Sequence, residues 1–178
     1  FLVREGDALE RLSCVSHLTF DKTGTLTCGA PRVAAVRSFL PELPEQELYR
    51  YAACAELRSE HPLGKAIVRC YRKDSVRELP QPEQFRMIPG RGVRAVAQGK
   101  ELLAGNLELF RENGVELSDE ARRAAERYQE EGCSVIFIGM DRHAAGLIAL
   151  SDTLRENAVA TIREVRDAGV VPVSVSYT

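Results

Sequence analysis

Asp21-Lys22-Thr23-Gly24-Thr25-Leu26-Thr27 comes directly after Val15-Ser16-His17-Leu18-Thr19-Phe20. The upstream residues alternate and close on an aromatic, as a buried strand does, and the strand opens into a hydroxyl-rich turn with one glycine. A carboxylate at the end of such a strand can attack phosphorus, while loop N–H groups and threonine hydroxyls hold the phosphate oxygens. The alternative is an ordinary polar turn, in which Asp and Gly serve backbone geometry alone. The length of the match and the strand before it favour the nucleophile. Position 23 is threonine rather than a second acid, so no neighbouring carboxyl stands ready to drive water onto an acyl phosphate. A phosphoenzyme formed here is expected to persist until another part of the protein removes the phosphate.

The chain has 178 residues, 44% of them apolar and 28% charged, the composition of an ordinary globular protein. A net charge of −2 excludes the strongly basic footprint of a nucleic-acid binder. The longest apolar run, Cys133 to Met140, stops at Asp141-Arg142-His143, well short of the ~20 residues of a membrane helix. Phe1-Leu2-Val3 runs straight into Arg4-Glu5-Gly6-Asp7, which does not read as a secretory leader. The 5 cysteines are dispersed and fit reduced thiols in a cytosolic setting.

Working outward, both ends read as α/β. Leu154, Ala158, Ile162 and Val165 fall at helical spacing in a helix expected over 154–168, which Gly169 closes. A buried strand is expected next, over 170–175, with Pro172 placing it at a start or an edge. Helix then strand, beside the Asp21 strand, implies a parallel sheet. Between the ends the pattern changes. Strands are expected over 33–39, 85–88, 92–97, 101–104, 133–138 and 144–150, and helices over 45–58, 62–71, 106–112 and 119–130. That makes an α+β insert over 32–140, interrupting a first domain of 1–31 and 141–178.

The insert carries a second candidate site. Pro62 fixes the backbone at a helix start, so the His61 ring is rigidly placed and can stack on a purine base. A carboxylate at Glu56, near the end of the preceding helix, can accept from an exocyclic amine. Pro89-Gly90-Arg91-Gly92-Val93 and Ala104-Gly105-Asn106 add glycines that keep a ligand path open, and an amide suited to hydroxyl or phosphate contacts. Arg91 fits a phosphate contact or an exposed loop equally well, and Lys65 reads as a solvated face residue.

The Asp21–Thr27 stretch resembles the phosphorylation signature of the P-type ATPases, ion and lipid pumps built on a haloacid-dehalogenase-like core. The ordered set of Glu56, Ser59-Glu60-His61-Pro62-Leu63, Gly90, Gly92, Val93, Gly105 and Asn106 is similar to the nucleotide-binding domain of their heavy-metal (type IB) branch. The resemblance covers nearly the whole chain. It implies an α/β fold: a partial, doubly wound core interrupted by an antiparallel sheet with flanking helices that binds ATP. It implies that Asp21 accepts the γ-phosphate, that Asp21 and the Thr23 main-chain carbonyl hold Mg²⁺, and that Thr25 steadies the phosphate. It also implies a cytoplasmic segment of an integral membrane protein that exports metal ions, partnered by membrane and actuator domains of the same chain. The piece itself is expected to be monomeric. Where the family runs into a Thr-Gly-Asp loop, this chain has Ser176-Tyr177-Thr178, and no later core lysine or Asp-rich Mg²⁺ loop comes after it. The 178 residues are therefore expected to bind ATP but barely to phosphorylate themselves. Two alternatives are a soluble haloacid-dehalogenase-like phosphatase, which Thr23 argues against, and a non-catalytic nucleotide-binding module.

Overall fold

A computed structural model describes residue 7 and residues 13–21 and 25–175. They divide into two compact units, one of 1–30 with 152–178 and one of 31–151.

In the first unit β1 (His17–Asp21) pairs in parallel with β8 (Val171–Val175), Phe20 opposite Ser174 and Asp21 opposite Val175. The helix α5 (Ala158–Asp167) precedes β8. It starts later than its periodicity suggested, because Leu154 is the last residue of β7 (His143–Leu154). The backbone there is already engaged: the Arg155 N–H donates to the Leu26 carbonyl at 2.9 Å, so the chain stays extended. β2 (Thr27–Ser38) likewise begins earlier than expected, straight after the hydroxyl-rich turn.

The second unit is built on a 6-stranded sheet. Besides β2 and β7 it holds β3 (Gln84–Ile88), β4 (Gly92–Ala97), β5 (Lys100–Gly105) and β6 (Ser134–Met140). The order across it is β2-β7-β6-β5-β4-β3. The pairs β3–β4, β4–β5, β5–β6 and β6–β7 are antiparallel. Strand alternation sends neighbouring side chains to opposite faces, and both faces are apolar. Leu102, Ala104, Ile136, Ile138, Ile148 and Leu150 pack with α1 (Glu45–Ala55) and α2 (Pro62–Asp74). Leu103, Phe137, Leu147 and Ala149 pack with α3 (Leu107–Glu112) and α4 (Asp119–Glu130). Ser118 caps α4 by accepting from the Ala121 N–H, as the sequence suggested.

The β6–β7 hairpin closes through Asp141 and Arg142, both at positive φ, between the paired residues Met140 and His143. The register then slips: Gly139 opposes Ala144 while Ile138 opposes Gly146, leaving Ala145 as an extra residue. This bulge swaps the parity of the strand. Ala144 faces the α3/α4 side, whereas the even-numbered Ile148 and Leu150 face α1 and α2. The boundary expected between residues 140 and 141 would cut this hairpin at its tip. The compact unit instead runs on to Ser151, because β7 is paired with β6 over most of its length.

Gly146 marks how tightly β7 is packed. A Cβ there would lie 2.2 Å from the Arg37 carbonyl oxygen and 2.3 Å from a Leu48 methyl. Gly146→Ala should therefore cost about 1–3 kcal/mol, read as a lower urea midpoint by circular dichroism.

Candidate nucleophile end and purine cleft

Asp21 closes β1, and its backbone pairs with Val175. Thr23 lies outside the described residues, as do Ser176, Tyr177 and Thr178, and Thr25 is exposed. The segment just beyond is firmly held. The Asp152 carboxylate accepts from the buried Thr27 hydroxyl and from the Gly29 and Ala30 N–H groups, the latter two at 3.1 Å. Arg155 Nε adds a bond to the Thr27 carbonyl at 3.1 Å. Asp152 thus anchors Thr27, Gly29 and Ala30, the start of β2.

In the second unit Glu56, His61, Gly90, Gly92, Val93, Gly105 and Asn106 all line one cleft of about 240 Å³. Met87, Ile88, Ala104, Val135 and Ile136 supply its apolar lining. Each polar group arrives for a local reason. Glu56 is the residue on which α1 ends, and His61 is the N-cap of α2, with Pro62 in the first turn. His61 Nδ1 accepts from the Leu63 N–H at 3.3 Å, so in the neutral ring Nε2 carries the proton. The ring is held by the cap while its outer edge stays exposed.

The two glycine segments meet because β4 begins where β5 ends: Gly92 opposes Gly105. A Cβ on Gly92 would sit 2.1 Å from the Ala104 carbonyl oxygen, and one on Gly105 would sit 2.3 Å from that of Arg91. These glycines are required by the approach of one backbone to the other. Gly90 differs: at φ +70 it has open space around it, so turn geometry explains it. The amide expected to meet a ligand is in use. Asn106 Nδ2 donates to the Gly90 carbonyl at 3.1 Å, its Oδ1 accepts from Leu109 N–H at 3.0 Å, and its backbone N–H donates to the Arg91 carbonyl at 2.9 Å. Asn106 therefore fixes the 89–92 turn against α3. The Arg91 guanidinium pairs with Glu108 and, at 3.2 Å, with Glu112.

Glu56 is the anomaly. Only 4% of it is exposed, and its Oε2 is buried without a hydrogen-bond partner. Burial pushes the carboxyl up to about 7, with a bond to Ser59 pulling the other way. A buried unsatisfied oxygen costs stability, and such groups gather where a ligand is to be met. Gly64 makes the arrangement possible, since a Cβ there would lie 2.2 Å from Glu56 Oε2 and 2.7 Å from Ser59 Oγ. Sequence reasoning missed Gly64, and it gave Ser59 a place in the motif but no bond to Glu56. Gly64 leaves a signal: a glycine in the first turn of a helix that has no need of one.

A family model described as haloacid dehalogenase-like hydrolase matches residues 15–176. A probable copper-exporting P-type ATPase of Archaeoglobus fulgidus is 39% identical over 169 residues, 95% of this chain and 20% of that protein. A silver exporting P-type ATPase of Salmonella typhimurium is 35% identical, again over 95% of this chain and 20% of its own length. The crystal structure of a zinc-transporting PIB-type ATPase in an E2·Pi state superimposes with a TM-score of 0.75 at 34% identity, covering 97% of this chain and 27% of that one. The chain spans about a fifth of the length of these curated relatives. No helix among the described residues is long and apolar enough to cross a membrane.

The Glu56 carboxyl gives a pH signature. Below its ordinary value near 4.5 both folded and unfolded chains hold the proton, and nothing is lost. As pH rises toward 7 the unfolded chain releases it while the folded chain retains it, so folded stability falls; above that the penalty is constant. The gap corresponds to roughly 3 kcal/mol. Urea unfolding at pH 5 and pH 8 should show this fall in the native chain relative to Glu56→Gln. Parallel pH curves for the two would show that Glu56 ionises as if solvated.

Proposed function

Since the chain belongs to the haloacid dehalogenase-like hydrolase family, we propose that it is the ATP-binding and aspartyl-phosphorylation segment of a heavy-metal-translocating P-type ATPase. In the full-length protein this segment is cytoplasmic and works with membrane and actuator domains of the same chain. The observation that carries the nucleotide half of this reading is the single cleft lined by Glu56, His61, Gly90, Gly92, Gly105 and Asn106. The buried, unpartnered oxygen of Glu56 supports a ligand with hydrogen-bond donors at that end. The exocyclic amine of adenine supplies one, and the His61 ring offers a stacking face. The apolar lining from Met87, Ile88, Val135 and Ile136 suits a purine, and the 89–92 turn lines the same cleft and brings Arg91 to it for the phosphates.

The chemistry belongs to Asp21. Its carboxylate attacks the γ-phosphorus in line, ADP leaves, and an acyl phosphate remains on the protein. Thr25 steadies the phosphoryl oxygens, and Asp152 holds the segment from Thr27 to Ala30 just downstream. Mg²⁺ would be held by Asp21 and the Thr23 carbonyl, where it offsets charge on the transferring group. Formation and loss of the acyl phosphate bias the membrane helices between inward- and outward-facing states, which couples hydrolysis to metal export. Thr23 in place of an acid disfavours a free-standing phosphatase.

Two measurements test the reading. Titration of the 178-residue chain with ATP should move amide resonances at Glu56, His61, Gly90, Gly92 and Gly105. His61→Gln should weaken binding about tenfold with the fold intact, the loss of roughly one stacking contact; shifts centred elsewhere would displace the site. Membranes holding the parent protein should form a hydroxylamine-sensitive phosphoprotein from labelled ATP, and Asp21→Asn should abolish it. Label surviving in that variant would remove Asp21 from the mechanism.

A further inference from the structure

Arg91 is the one lysine or arginine among the residues that line the cleft. A nucleotide triphosphate bound there would bring several negative charges to the turn that carries it. Yet the guanidinium is already taken: it is ion-paired with Glu108 and Glu112, successive acids on one face of α3. Its backbone has no freedom to compensate, because the Arg91 N–H donates to the Ile88 carbonyl at 3.0 Å and its own carbonyl accepts from Asn106 at 2.9 Å. The side chain alone can move. Arg91 is 33% exposed and the two acids more than half exposed, so these pairs are partly solvated and exchangeable.

We infer that Glu108 and Glu112 act as an internal competitor for the phosphates of the bound nucleotide, occupying Arg91 and so limiting how strongly the cleft favours a triphosphate over a monophosphate. The inference rests on the cleft being the nucleotide site. The physical balance is simple. With both acids present, the cation is shared between fixed carboxylates and a mobile polyanion. With both neutralised, the guanidinium swings to the phosphates and each added phosphate gains more. The contacts at Glu56 and His61 are the same for ATP and AMP, so the effect appears in the ratio of their affinities.

The test is calorimetric titration of the 178-residue chain with ATP and with AMP at low salt. Four proteins are compared: native, Glu108→Gln with Glu112→Gln, Arg91→Ala, and the triple variant. The double variant should raise the ATP-over-AMP affinity ratio by about threefold or more, and ~0.5 M salt should erase most of the gain. Arg91→Ala should lower the ratio, and the triple variant should lose the gain of the double. A gain that survives in the triple variant would mean simple removal of repulsion, with no competition for Arg91, and would overturn the inference. A ratio unchanged in the double variant would overturn it too. Amide shifts at Glu56 and His61 keep the two levels apart: if ATP moves them while the ratio stays flat, only this inference fails. If ATP leaves them unmoved, the nucleotide site itself is misplaced and the inference falls with it. Glu108 and Glu112 are more than half exposed and Arg91 is partly exposed, and unchanged far-ultraviolet circular dichroism confirms the fold of each variant.

Discussion

The carboxylate of Asp152 is the constraint on which the first unit depends. The chain leaves that unit after Ala30 and returns at Asp152, with the whole second unit spelled out between. Closing so long a loop has an entropic cost that grows only slowly with length, but the two ends must still be fastened. Asp152 does so with bonds from Thr27, Gly29 and Ala30, and Arg155 adds its own to Leu26 and Thr27. These bonds fall a few residues downstream of Asp21. A whole folded unit can thus be inserted after Ala30 while the segment from Thr27 to Ala30 stays tied to the returning chain.

The second unit answers a different demand, a rigid cleft with one uncompensated group in it. Rigidity comes from a sheet whose two faces are both covered by helices, and from Asn106, which links the 89–92 turn to the start of α3. The uncompensated group is Glu56. Proteins break the rule of hydrogen-bonding buried polar atoms mainly where function needs it. Gly64 shows that the surroundings are shaped for that carboxyl, since any larger residue would evict it.

Much of this was legible in the chain. The strand before Asp21, the proline-led helix after His61 and the glycine pairs announce themselves by local rules of turn and cap, and these rules act over a few residues. What was hidden acts at long range. The start of α5 depends on Leu26 accepting a bond from Arg155, which no helical periodicity around Leu154 can reveal. The use of Asn106 as a brace depends on Gly90 lying beside it, and the fate of Arg91 depends on how α3 is set against the turn. The parity swap at Ala145 is invisible for the same reason: it belongs to the pairing of two strands, not to either one.

The outermost strand of the sheet carries a consequence for how the protein behaves in a crowded solution. β3 ends the sheet order, and its Arg86 stands opposite Arg94 of β4, with Met87 exposed beside it. Like charges facing each other across a ladder weaken that pair slightly. The same charges repel any second strand that would extend the sheet at its rim, where bare backbone would otherwise recruit another molecule. A little cohesion at the margin is exchanged for a charge on the rim strand Gln84–Ile88, whose Phe85, Met87 and Ile88 would otherwise favour pairing with another chain.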